Sequence, residues 1–109
     1  MFTRILSASF AALALTAPAI AADYPTRPVR LIIGFGPGAP DTVARLVAAQ
    51  VSTQLGQQLV VDNRPGANGT LGTTYVAKAV PDGSTLIFGT ADTHSINPHV
   101  YKSLPYDAR

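Results

Sequence analysis

Three short stretches of this chain carry residue types that could hold an anion. The first is "GFGPGAPD", Gly34 to Asp41, directly after the apolar run "VRLII". The second is "NRPGANG", Asn63 to Gly69, after "QLVVD". The third is the polar stretch Thr90–His94, "TADTH", after "STLIFG". Glycine admits close approach to the backbone and positive φ. A glycine turn that opens into a helix can aim amide N–H groups at a negatively charged ligand. Catalysis has no comparable signal. There is no "GxSxG", no Ser-His-Asp order and no paired-carboxylate motif, and glutamate is absent altogether.

Three readings of the opening stretch compete. As a dinucleotide fingerprint, Gly34, Gly36 and Gly38 would face a pyrophosphate and Asp62 the ribose. Pro37 and Pro40 weigh against it, because each removes an amide donor. Asp41 places a carboxylate where a diphosphate needs the positive end of the helix dipole. The second reading is a charge-free amide cradle for a small carboxylate. The third is a tight turn that binds nothing. Asp92, His94 and His99 fit no standard metal spacing and read as loop side chains. The sequon "NGT" at Asn68–Thr70 reads as chance.

The elements that would position these loops alternate in period. Val29–Phe35 is a nearly continuous apolar run, expected as a strand buried on both faces. From Asp41 the apolar residues Val43, Leu46, Val47, Val51 and Leu55 recur at helical spacing, with Asp41 expected as N-cap and Gly56 just past the C-terminus. Arg45, four residues after Asp41, should pair with it. Gln58–Asp62 is expected as a second strand. Thr70–Val80 is expected as a second helix with Leu71, Tyr75, Val76 and Ala79 on one stripe. Ser84–Thr90 is expected as a third strand after the turn "PDG". Ala91–Ser95 reads as a polar loop, followed by a short helix around Asn97–Lys102. Strand, helix, strand, helix, strand predicts an α/β fold with a parallel βαβαβ sheet. All three loops then meet at the carboxyl edge, where such sheets bind ligands.

The composition narrows the classes further. The chain has 109 residues, no cysteine and a net charge of +2, with one of its eight basic residues, Arg4, close to the start. No basic run exists, so nucleic acid has no support as a partner. Residues 1–22, "MFTRILSASFAALALTAPAIAA", have a positive start, an apolar run and the small-residue site "AIA". That layout predicts a secretory signal peptide cleaved near Ala21 or Ala22.

From Tyr24 to Arg109 the chain resembles the start of a substrate-binding protein of the tripartite tricarboxylate transporter family, also called a Bug receptor. The resemblance rests on "YPTRPVRLI", "D-x-VAR", "LGQQLVVDNRPGANG", "VAKAVPDG" and "INPHVYKSLPYD", in order and at the right spacing. It implies the first lobe of a type II periplasmic binding protein and a periplasmic location. It implies a small di- or tricarboxylate or related acid as ligand, and membrane transporter subunits as partners. No cofactor, metal or catalysis is implied. By position, the ligand-binding residues would be Phe35, Gly36 and Gly38 in the first loop. The second loop would contribute Ala67, Asn68, Gly69 and Thr70, and the third Thr90, Ala91, Asp92 and Thr93. "FGPGAPD" is one residue shorter than the commoner form of the first loop. Family members are much longer, so residues 23–109 are expected to be an incomplete lobe, with apolar surface left uncovered. The alternatives are an exported enzyme with a Rossmann-like site, or a non-binding remnant of a truncated gene.

Overall fold

The computed structural model describes residues 23–109. The expected signal peptide lies outside the described residues. Three parallel strands form one sheet in the order β2-β1-β3, with β1 spanning Val29–Ile33, β2 Leu59–Asn63 and β3 Thr85–Ile87. Helix α1 (Ala39–Leu55) connects β1 to β2, and α2 (Thr70–Ala77) connects β2 to β3. After β3 comes a π-helical turn, Asp92–Ile96, that continues into α3 (Asn97–Val100). The βαβαβ order expected from periodicity is therefore present, with β1 and β3 shorter than expected and β2 of the expected length, shifted by one residue.

Burial on both faces holds for the central strand. Val29, Ile32 and Ile33 are at most 1% exposed. The outer strands are only half covered, with Val60 and Leu86 exposed. The reason is position in the sheet: β1 has a neighbour on each side, whereas β2 and β3 each have one.

Helix α1 departs from its expected face. Its apolar stripe points outward, with Val43, Leu46, Val47 and Leu55 all exposed. It packs on the sheet through Ala44 and Ala48, against Leu31 and Ile33, and Asp41 is buried on the same helix. Small side chains let the helix lie close to the strands, and that closeness decides the contact face against the larger residues. The helix also begins earlier than expected. Gly38 is the N-cap, without a side-chain cap bond, and Pro40 sits in the first turn, where its missing amide costs nothing. Asp41 is therefore a first-turn residue and not the cap. At the other end Gly56 adopts φ 68° and its amide donates to the Ser52 carbonyl at 3.1 Å, as expected for a left-handed stop.

Helix α2 ends at Ala77, short of Val80, and buries Gly72 and Thr73 rather than Leu71, which is exposed. Ala91–Ser95, expected as a loop, is helical, because the chain between Asp92 and Val100 coils continuously from the π turn into α3.

Gly34 at the end of β1 answers what approaches the first glycine stretch. A Cβ built there would lie 2.6 Å from the Gly69 Cα and 2.8 Å from its carbonyl oxygen. A Cβ on Gly72 would lie 2.9 Å from the Gly34 Cα and 3.1 Å from the Arg64 carbonyl oxygen. The second loop thus rests on the first, backbone on backbone. Gly36 is different, since a Cβ there meets nothing within 4 Å. Replacing Gly34 with alanine should cost about 1–3 kcal/mol, as overpacking does, whereas Gly36→Ala should stay within about 0.5 kcal/mol. Urea midpoints followed by circular dichroism check the contrast, and equal midpoints for the two variants would contradict the contact.

Candidate functional site

The carboxyl ends of β1, β2 and β3 feed the three loops, and each loop is fixed by a different set of polar contacts. The first is held from below by Asn63, the last residue of β2. Its Nδ2 donates to the Phe35 carbonyl at 2.9 Å and to Asp41 Oδ1 at 2.8 Å. Arg45 completes the bracket. Its Nε reaches both Asp41 oxygens at 3.0 and 3.1 Å, and a terminal nitrogen donates to Asn63 Oδ1 at 2.9 Å. The Arg45–Asp41 pair matches the helix spacing read from sequence. The Arg45 guanidinium and then Asn63 hold the Asp41 carboxyl below the usual carboxylate range.

The second loop contains a left-handed turn. Ala67, Asn68 and Gly69 have φ of 47°, 52° and 81°. Two of these are not glycine, and for alanine this region is costly. The turn closes on itself: Gly69 N donates to Gly66 O at 3.1 Å, Thr70 N to Ala67 O at 3.1 Å, and Leu71 N to Gly66 O at 3.4 Å. The first amides of α2 are thereby occupied. Those of Ala67 and Asn68 find no acceptor among the described residues, and both residues are exposed.

The third loop is the π turn and the residues leading into it. Thr93 is buried, and its hydroxyl contacts Thr90 O and Thr90 N at 3.1 Å and His94 Nδ1 at 2.7 Å. The amides of Ala91 and Asp92 have no acceptor among the described residues.

The three loops meet at Gly69. A Cβ there would fall 2.5 Å from Thr93 Cγ2 and 3.1 Å from the Phe35 ring. A side chain at Gly69 would therefore break the junction of all three loops, and such a change reports on folding as well as on any ligand. Below the junction sits a buried polar cluster. Asn97 Nδ2 donates to Asn68 O at 2.9 Å, and Asn97 Oδ1 accepts from Asn68 Nδ2 at 2.9 Å. The Tyr106 hydroxyl donates to Thr93 O at 2.6 Å.

The structure thus brings together Phe35, Gly69 and Thr93 in direct packing. Ala67, Asn68, Ala91 and Asp92 are placed beside that junction with unmatched amides. The amides of Gly36 and Gly38 also find no acceptor among the described residues. Gly38 O is occupied, accepting from Thr42 N and Oγ1 at 3.0 Å. Thr70 Oγ1 lies 3.5 Å from Asn97 Nδ2, which leaves it bound weakly inside the protein. None of the residues named for the three loops is an arginine or a lysine. Adjoining the third loop at His94 is a concavity of about 840 Å³, lined by His94, His99, Tyr101, Lys102, Tyr106 and Arg109 among others. It lies along the segment that follows the third loop.

Asp62, offered to a ribose in the dinucleotide reading, is already engaged. Arg30 and Arg64 both donate to it, the latter at 3.3 Å. Burial alone would raise its pKa, but the two guanidiniums outweigh burial and lower it. Arg64 also stacks on Tyr75, 3.8 Å from the ring centroid. The close approach that Gly34 permits is taken by Gly69 and Gly72. Among the described residues no group of three or more metal-ligating side chains occurs.

Three residues that organise the loops were not identified from sequence: Asn63, Asn97 and Tyr106. A signal exists for all three, since Asn63 lies in "LGQQLVVDNRPGANG" and the other two in "INPHVYKSLPYD". An asparagine before proline and a tyrosine before aspartate were read as a family signature, and the contacts behind them stayed hidden.

Comparison with known proteins gives one consistent result. The profile of the family described as "Tripartite tricarboxylate transporter family receptor" matches residues 43–109. A UPF0065 protein of Bordetella bronchiseptica is 46% identical over 98 residues, covering 88% of this chain and 29% of the relative. Among solved structures, Rpa4515 of R. palustris with adipate superposes with a TM-score of 0.75 at 44% identity. MatC from Rhodopseudomonas palustris with bound malate superposes with a TM-score of 0.75 at 42% identity. Each match covers 78% of this chain and 29% of the solved one. The chain therefore spans less than a third of the length of the relatives that it matches.

Proposed function

Because this chain belongs to the tripartite tricarboxylate transporter receptor family, we propose that it supplies one lobe of a periplasmic receptor for a small carboxylic acid. The observation that carries the reading is the exposed left-handed turn at Ala67 and Asn68. Its amides have no acceptor among the described residues, and Gly69 beside it packs between the first and third loops. A carboxylate accepts hydrogen bonds from such amides, directly or through water. No arginine is needed: the one arginine of the second loop, Arg64, is engaged with Asp62 and Tyr75. Similar solved proteins hold adipate and malate, two small dicarboxylates.

Within the three loops, Ala67 and Asn68 are the strongest donors, with Gly36 and Gly38 on one side and Ala91 and Asp92 on the other. Phe35, Gly69, Thr90 and Thr93 set the shape of the cradle, and Thr70 begins the helix behind it. The acid would then be passed to membrane subunits of a tripartite transporter. A receptor that only binds and releases its ligand has no need of the acid–base pairs that the sequence lacks.

Calorimetric titration tests the reading. The chain should bind adipate or malate saturably and fail to bind adipamide or malamide, whose neutral amide groups carry no carboxylate charge. Equal response to acids and amides would contradict a carboxylate cradle. Each charge-assisted amide bond should be worth roughly 1.5–3 kcal/mol, so loss of two should weaken binding at least a hundredfold.

Export is the second part of the proposal, supported by Arg4, the apolar run after it and "AIA". Intact-mass analysis of periplasmic material should show a chain that starts at Ala22 or Asp23. Full-length chain confined to the cytosol would contradict it.

A further inference from the structure

Ala67 and Asn68 both stand in the left-handed region, which is costly for alanine and better tolerated by asparagine. Gly69, next along, can take its φ of 81° without help. The question is what holds the other two, since the closing bonds from Gly69 N and Thr70 N are each a single amide contact.

We propose that Asn97 is the positioning residue of the acid-binding turn, holding Ala67 and Asn68 left-handed through a reciprocal pair with Asn68. The inference rests on the proposed reading of the loops as a carboxylate site. Asn97 is fully buried at the start of α3, 29 residues away from Asn68 in sequence. Its amide head both gives and receives. Nδ2 donates to the Asn68 carbonyl and Oδ1 accepts from the Asn68 side chain, each at 2.9 Å. The same Nδ2 lies 3.4 Å from the Tyr106 hydroxyl and 3.5 Å from Thr70 Oγ1. No buried side-chain polar atom among the described residues is left without a partner.

The chemistry of the side chain is specific. Only an amide on a stem this short offers a donor and an acceptor side by side. Aspartate would set a second oxygen against the Asn68 carbonyl, and leucine would leave both Asn68 groups unmatched. With its carbonyl and side chain held by Asn97, Asn68 keeps the turn in place, and the Ala67 and Asn68 amides find no acceptor among the described residues. Asn97 touches no ligand in this account and acts through Asn68. Without it the turn would populate other conformations, and apparent affinity would fall by the fraction still competent.

The test separates positioning from support of the core. In the full chain, Asn97→Ala should weaken adipate or malate binding by about tenfold or more and lower the thermal midpoint. Adding Ala67→Gly to that variant should restore most of the affinity, because glycine takes positive φ freely. The midpoint should stay low, since the buried space at residue 97 is still empty. Affinity restored without stability supports the proposal. Unchanged affinity in Asn97→Ala, or lost affinity that Ala67→Gly does not recover, overturns it. If the unaltered chain binds neither acid, the carboxylate reading falls, and carbon chemical shifts at residues 67 and 68 still decide this inference. Loss of the left-handed signature in Asn97→Ala supports it, and retention overturns it.

Discussion

The candidate site depends on one steric constraint: two backbone segments must touch where β1 ends and α2 begins. Gly34 and Gly72 leave no room for a side chain between them and the neighbouring loop, and Gly69 leaves none toward Phe35 and Thr93. Close packing of this kind transmits position with little slack, because interiors have few voids into which a loop can relax. The first loop therefore sets the height of the second, and the second sets the depth at which Thr93 sits. Polar contacts then choose the orientation, Asn63 for the first loop and Asn97 for the second. Of the glycines that first suggest a phosphate site, Gly34 serves to bring the protein's own backbone together, whereas Gly36 meets nothing within 4 Å.

Much of the architecture was legible because strands and helices differ in period. The runs Val29–Phe35 and Gln58–Asp62 overlap the observed strands Val29–Ile33 and Leu59–Asn63, and Gly56, expected as the stop from its type, takes φ 68° there. The contact face of α1 was not legible. Periodicity marks where large apolar residues fall, and here Ala44 and Ala48 make the contact with the sheet while Leu46 faces outward. Asp41 misled for a related reason: a carboxylate near a helix start looks like a cap, yet the bracket with Arg45 and Asn63 uses it instead. That bracket joins residues 22 apart in the chain, which no local pattern contains.

The site was legible in outline only. The three loops lie at one sheet edge, as parallel pairing requires, and Phe35, Gly69 and Thr93 meet there. Which groups remain available could not be read, because it depends on hydrogen bonds already made. Thr93 shows this, since its hydroxyl is committed to Thr90 and His94 inside the protein. Ala67 shows the reverse. Nothing in its type suggests a binding role, and its significance comes from a φ of 47° imposed by its surroundings. The exposed apolar residues on α1, β2 and α2 belong beside the fact that the match covers only 29% of the Bordetella bronchiseptica relative.

Residue-resolved amide hydrogen exchange, with and without malate, tests the central claim most directly. The account predicts slow exchange at Gly69, Thr70 and Leu71, whose amides are bonded within the turn, and fast exchange at Ala67 and Asn68. Malate should slow Ala67 and Asn68 and leave the other three unchanged. Fast exchange at all five positions, or protection by malate elsewhere with Ala67 and Asn68 unaffected, would contradict a cradle built on this turn.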